Sequence, residues 1–146
     1  MPKKVVEMNL QQVQALIERE RIRLDIIQNN YAMLQQRLAE LNAAIDSLNA
    51  VKNAKKEEKI LVSLGAGIFL DAKVSDNKNA RKLLANTLLI KSIPSLIKDL
   101  QDAKDEINRN IKRLSEDRQR AMHNITQLTN LIAAAQKQIQ SQQKKE

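Results

Sequence analysis

Cysteine is absent from the 146 residues, which rules out a disulfide framework and any thiolate metal site. A chain built without disulfides suits a reducing compartment. Tryptophan is missing too, and Tyr31 and Phe69 are the only aromatic side chains. Rings supply much of the buried area of an ordinary globular interior, so a single packed core is disfavoured even though the chain is long enough to hold one. Glycine and proline number two each, leaving few points at which a long helix must stop. No apolar run approaches the length of a membrane span. The opening stretch, with Lys3, Lys4 and Glu7 around Val5, Val6 and Met8, lacks the apolar block of a signal peptide. The expectation is a cytoplasmic protein that does not enter a membrane.

What the chain does contain is Leu, Ile, Ala, Gln, Lys and Asn, the composition of long helices with narrow apolar seams. From Leu10, alternating steps of three and four reach Val13, Ile17, Glu20, Leu24, Ile27, Tyr31, Leu34, Leu38, Leu41, Ile45 and Leu48. Eleven of these twelve positions are apolar or aromatic, and neither Gly nor Pro interrupts them. That is a coiled-coil helix. The pattern returns at Ile93, Ile97, Leu100, Lys104, Ile107, Ile111, Leu114, Arg118, Ala121, Ile125, Leu128, Ile132, Ala135 and Ile139, twelve of fourteen being apolar. Ser92 is placed to cap the second helix, with Pro94 in its first turn. Helices are expected over about 9–56 and 93–143, each roughly 70 Å long. Laid antiparallel so that paired numbers sum to 148 or 149, Leu10 faces Ile139, Val13 faces Ala135, Ile27 faces Ala121, Leu38 faces Ile111 and Leu48 faces Leu100. A slip of seven residues matches nearly as well. The chosen register brings both chain ends to one tip. Lys52–Lys59 is expected to end the first helix, and the polar tail from Gln140 to fray.

Between the helices, over about 60–91, the period changes to two. Ile60, Val62 and Leu64 alternate, Gly65-Ala66-Gly67 intervenes, and Ile68, Leu70, Ala72 and Val74 alternate against Phe69, Asp71 and Lys73. Two such runs around a Gly-containing turn predict a β-hairpin. Residues 79–91 fit either a helix, through Ala80, Leu83, Leu84, Thr87 and Leu88, or a second hairpin turning near Leu84-Ala85-Asn86. An isolated hairpin is marginal in water, so Ile60, Val62, Leu64, Gly65, Gly67, Ile68, Phe69 and Leu70 are expected to form an assembly element.

The net charge of +8 raises nucleic acid as a partner. The excess is spread thinly, however: +2 over residues 1–59, +3 over 60–92 and +3 over 93–146. No aromatic platform accompanies Lys55, Lys56 and Lys59, or Arg109, Lys112 and Arg113, for stacking on bases. Solvated helix faces account for these charges better. His123 is the only histidine and stands off the seam, where an exposed ring is expected rather than a ligand or base. Ser115, Glu116 and Asp117 share a helix without a base to make a nucleophile. Gly65-Ala66-Gly67 lacks the Lys-Ser/Thr of a phosphate loop and the third glycine of a dinucleotide fingerprint. No catalytic residue, metal site or cofactor is expected. Glu20, Lys104 and Arg118 read as polar breaks that specify coiled-coil register.

Helix, β-segment and returning helix in this order resemble a prefoldin subunit. The likeness is sharpest at Ile60-Leu61-Val62-Ser63-Leu64-Gly65-Ala66-Gly67-Ile68-Phe69-Leu70-Asp71-Ala72-Lys73-Val74, which looks like the first-hairpin motif of the α class, while Lys91-Ser92-Ile93 resembles that family's entry into the second helix. One departure is Leu84-Ala85-Asn86, where the α class carries a second Gly-containing turn. The resemblance implies a mainly α fold with a small β segment, in which one or two hairpins join a long antiparallel coiled coil and assemble into a β-barrel platform. It further implies a hetero-hexamer with four β-class subunits and two α-class ones. Such a holdase captures non-native polypeptides at its tips and passes them to a group II chaperonin without nucleotide hydrolysis. At the tip the seam runs out of partner, leaving Val5, Val6, Met8, Leu10, Val13, Leu131, Ile132 and Ile139 partly uncovered for apolar segments. Two other classes stand beside this one: an adaptor coiled coil for a folded partner, and a basic nucleic-acid binder. Neither requires a β-platform.

Overall fold

In the computed structural model, which describes residues 2–145 and side chains from Leu10 onward, the chain forms helix α1 (Pro2–Asn53), strands β1 (Lys59–Gly65), β2 (Ile68–Lys73), β3 (Asn79–Leu84) and β4 (Thr87–Ser92), and helix α2 (Ile93–Gln143). They fall into two compact units, residues 1–35 with 109–146 and residues 36–108.

In the first unit the segments of α1 and α2 lie side by side and antiparallel. Leu10 and Val13 share a groove with Leu131, Ala135 and Gln138, while Asn30, Met33 and Leu34 share another with Asn110, Arg113 and Leu114. The covered stripe follows the heptad. Ile17, Ile27 and Ala121 are buried and the other seam positions half-buried, with Tyr31 and Arg118 as the exposed exceptions. Those two line one groove, where the sequence register pairs them. Among the described residues, the one ion pair between the helix segments, Arg23 Nη2 to Asp117 Oδ1 at 3.8 Å, is close to half exposed on the arginine side. An exposed pair is worth about 0–1 kcal/mol, whereas truncating one buried seam residue to Ala costs about 2–5 kcal/mol. The seam therefore holds the helices together, and the ion pair only decorates it.

The second unit contains both hairpins and the helix ends that carry them. Leu41, Ile45, Val74, Ile93 and Leu96 are buried here. α1 stops at Asn53, earlier than the charged stretch to Lys56 suggested. Glu58 closes a tight turn, accepting from the Lys55 N–H through Oε2 at 2.8 Å and donating its own N–H to the Lys55 carbonyl at 3.0 Å. Glu57, inside that turn, takes φ 70°. Glu57 then donates to the Val74 carbonyl at 2.7 Å and Val74 to the Glu58 carbonyl at 2.9 Å, extending the first ladder to the helix. The Asn77 side-chain amide donates to the Ala54 carbonyl at 3.0 Å, tying the inter-hairpin turn to the end of α1. At the other end Ser92 caps α2 through the Ser95 N–H at 3.3 Å, and the Ile93 N–H donates to the Lys78 carbonyl at 2.8 Å. The tail is helical through Gln143 rather than frayed from Gln140, because straight-chain Gln, Lys and Ser residues carry no helix breaker.

β1 and β2 pair antiparallel, with Ile60 opposite Ala72, Val62 opposite Leu70 and Ser63 opposite Phe69. The register then shifts to Gly65 opposite Ile68, so Leu64 is an extra residue bulged from β1. Ala66 and Gly67 make the loop at φ 53° and 77°, the positive signs that a type I′ turn needs at both positions. A Cβ on Gly67 would meet nothing within 4 Å, so the glycine serves backbone conformation and not space. Residues 79–91 form a second hairpin, with Lys82 opposite Leu89 and Leu84 opposite Thr87, and not a helix. The residues of β3 are mostly helix formers, but pairing with β4 overrides that preference. A turn anchored on Asp76 helps to start the hairpin. Its carboxylate accepts from the N–H groups of Lys78 at 2.8 Å and Asn79 at 3.1 Å.

Ala85, within the Leu84-Ala85-Asn86 segment that departs from the Gly-containing turn of the α class, takes φ 52°. A left-handed conformation costs an L-residue about 1–2 kcal/mol, so Ala85→Gly is expected to stabilise the second hairpin by about 1 kcal/mol. Hydrogen-exchange protection across β3 and β4 should rise accordingly, and an unchanged or lower protection would contradict the turn geometry.

The backbone donors at Lys78 and Asn79 hold the Asp76 carboxyl below its ordinary pKa of 3.8. A depressed folded pKa contributes stability that is complete above the unfolded value and is lost as pH falls through the folded one. The stability difference between the native chain and Asp76→Ala should be present at about pH 6 and narrow towards about pH 3. Denaturation curves at the two pH values measure it, and a difference that widened in acid would refute the assignment.

Candidate assembly and binding surfaces

Alternation along β1 and β2 divides the anticipated assembly residues between two faces. Ile60, Val62, Ile68 and Leu70, with Ala72, share one face, while Phe69 lies on the other with Leu61. Both faces are open: Leu61 is 68% exposed and Phe69 59%. The bulged Leu64 is exposed beside the turn, and Gly65 and Gly67 flank Ala66 within it. The first hairpin thus lacks a wet side and a dry side, although one wet side is usual for an antiparallel sheet in water.

The second hairpin repeats this arrangement with residues that the sequence reading had not assigned to a surface. Leu83 lies opposite Leu88, and Ile90 opposite Arg81, on one face; Leu84 and Leu89 lie on the other. All five leucine and isoleucine side chains are exposed, Ile90 at 67%. The available signal was the pair of apolar runs, Leu83-Leu84 and Leu88-Leu89-Ile90, on either side of Ala85-Asn86. It was masked because the same spacing also suits a helix.

In the first unit, the anticipated tip residues are only partly brought together. Leu10, Val13 and Leu131 line one groove, with Leu16 added to the set. Leu131 is 57% exposed, while Leu10, Val13, Ile132 and Ile139 are half-buried on the seam. Val5, Val6 and Met8 lie outside the residues whose side chains are described. Ile22, Ile26 and Met33 are exposed on α1 away from the seam, where a heptad helix usually carries polar residues. Large apolar residues outside the three-four spacing were the available sign of them. Glu20 does occupy the seam, and its Oε2 is buried without a hydrogen-bond partner, 3.8 Å from Arg23 Nη1.

His123 is exposed. Among the described residues no group of three or more His, Cys, Asp or Glu is disposed to hold a metal ion. No helix among them is long and apolar enough to cross a membrane. What the arrangement offers is apolar surface in the form of open strand edges and hairpin faces.

If these faces serve assembly, Leu64→Asp combined with Leu70→Asp should leave helicity close to native by circular dichroism and abolish oligomer formation by native mass measurement. Normal oligomers from the double variant would remove the hairpin from the interface.

The family model for prefoldin subunits matches residues 21–145. The chain is 24% identical over 123 residues to prefoldin subunit alpha 1 of Methanocaldococcus jannaschii, covering 82% of each protein. A chain of filamentous PFD from the same organism, solved by cryo-EM, is similar over 87% of this chain and 94% of its own length, at 20% identity and a TM-score of 0.37.

Proposed function

The chain belongs to the prefoldin subunit family, and from that premise we propose that it is an α-class subunit of a cytoplasmic hetero-hexameric holdase. The similar protein of Methanocaldococcus jannaschii is an alpha subunit, and the two hairpins agree with the α-class layout in which each subunit brings two hairpins to a common β-barrel. The observation that carries this reading is the apolar surface of those hairpins. Leu61, Leu64, Ile68, Phe69, Leu83 and Ile90 are all more than half exposed in the single chain. Large apolar side chains left exposed in this number on two small hairpins mark an interaction site. Strands contributed by β-class subunits would cover these faces and pair with the open edges.

The helix pair then supplies the working part. Non-native polypeptide docks where seam side chains run out of partner, at Leu10, Val13, Leu131, Ile132 and Ile139, with Val5, Val6 and Met8 beyond them. Binding rests on transfer of apolar area from water, worth about 25 cal/mol per Å², so it needs no nucleotide, metal or cofactor. It is weak per contact and tolerant of sequence, which suits capture of many clients and release to a group II chaperonin. The family is one of chaperones and not of enzymes.

Removal of residues 1–13 together with 131–146, which takes away every one of these side chains, tests the placement of the client site. The shortened helices keep about five heptads of seam, so assembly should persist while suppression of aggregation of a denatured test protein falls several-fold. The assay is run without ATP and with EDTA. Undiminished protection would move the client site elsewhere, and protection that required ATP or was lost in EDTA would overturn the mechanism.

A further inference from the structure

Helix α1 carries a second apolar stripe beside the seam. Ile22, Ile26 and Met33 follow one another at steps of four and seven, so they share one side of the helix. They are 54%, 56% and 69% exposed. Two adjoining grooves of the first unit contain this stripe. One holds Ile22 and Ile26 with Arg19 and Arg23, the other holds Met33 with Arg113, and Asp117 borders both. From Arg19 to Met33 the stripe runs for about 21 Å. The acids of these grooves are matched from within. Glu20 and Asp117 each lie 3.8 Å from Arg23, and Asp117 is also 3.2 Å from Arg120. Two of the cations are not matched: among the described residues Arg19 and Arg113 are exposed and have no ion-pair partner.

We propose that this side of the helix pair is a docking site for an acidic amphipathic helix of a partner protein. The first unit is built of helix alone, so the grooves offer side chains and no strand edge. An extended segment would find no partners there for its backbone N–H and C=O groups, whereas a helix brings its own already bonded. About four turns of partner helix match the span. Apolar residues at three-four spacing cover Ile22, Ile26 and Met33, and carboxylates on the flanks meet Arg19 and Arg113. Apolar contact supplies the attraction and the two arginines supply the choice of sign. The same stripe of a second copy is the wrong occupant, because it is bordered by the same arginines. None of these residues is among those assigned to assembly or to client capture, so a helix held here leaves both in place.

Three labelled peptides of about 15 residues serve as probes. Two carry leucine at three-four spacing, flanked by Glu in one and by Lys in the other, and the third is the Glu peptide with prolines at its centre. Binding to the full-length protein is read by fluorescence anisotropy. At about 50 mM salt the Glu helix should bind about tenfold tighter than the Lys helix, and the preference should fade towards about 500 mM. Arg19→Glu with Arg113→Glu should reverse it. Ile26→Gln with Met33→Gln, at exposed positions and with a good helix former, should weaken both peptides about tenfold while circular dichroism stays native. Equal binding of the Glu and Lys helices, binding of neither, or binding that ignores both pairs of substitutions overturns the site. Equal binding of the proline-broken peptide gives the surface to extended, non-native chain and overturns the helical partner.

Discussion

A narrow stripe of apolar side chains spaced three and four residues apart over this many turns is covered along its length by another helix with the same spacing. Everything else in this chain follows from that constraint. With hardly any rings, there is no globular interior in which Leu24, Leu34 or Ile107 could find cover. In the first unit the α1 segment therefore lies along the returning α2 segment, and among the described residues fully buried side chains are few. Ile17, Ile27 and Ala121 are covered in one unit and Leu41, Ile45, Ile93 and Leu96 in the other. Stability accumulates along the seam and is not concentrated in one nucleus. The surface ion pairs, Arg37 with Glu40 and Arg120 with Asp117 among them, are local helix contacts that add little.

The same constraint leaves the β-segment without internal cover. Its base is anchored by Val74, Ile93 and Leu96 and by the Asn77 to Ala54 hydrogen bond, so the hairpins are fixed to the helices. Beyond that base both sheets have apolar residues on both faces. The geometry of a two-stranded ribbon allows no other outcome within one chain, since a pleated strand alternates its side chains and each hairpin has nothing stacked against it. Hairpins this apolar are stable companions of other strands and poor companions of water. Assembly in the prefoldin manner is the physical answer to that mismatch.

Much of this was legible in the residues. Period three-four fixes a helix unambiguously over so many turns, and the Ser92 cap and the Gly65-Ala66-Gly67 turn are local signals with one ready interpretation. The second hairpin was not decided, because Ala80, Leu83, Leu84 and Leu88 satisfy both periods and the strand outcome depends on pairing with a partner strand. The end of α1 at Asn53 was missed by a few residues for a related reason: the carboxylate of Glu58 turns the chain by accepting from Lys55, a three-residue contact that composition does not reveal. At the candidate surfaces, the apolar face of the first hairpin could be read from alternation. The opposite face, with Leu61 and Phe69, required the knowledge that nothing packs there. Ile22, Ile26 and Met33 stood outside the heptad from the start, and only the structure shows them to be exposed.

The scarcity of rings has a spectroscopic consequence. Tyr31 is the sole strong near-ultraviolet chromophore, and it stands in the first unit, half open beside Arg118, with its hydroxyl accepting from Gln35 at 3.0 Å. Phe69 is the sole phenyl ring and stands on the second unit's first hairpin. Light at the long-wavelength edge of the tyrosine band, where a phenyl ring does not absorb, therefore addresses the first unit alone. Tyrosine emission follows the helix pair, the weak phenylalanine bands follow the β-segment, and a single Trp placed at either site gives a clean optical label in an otherwise dark background.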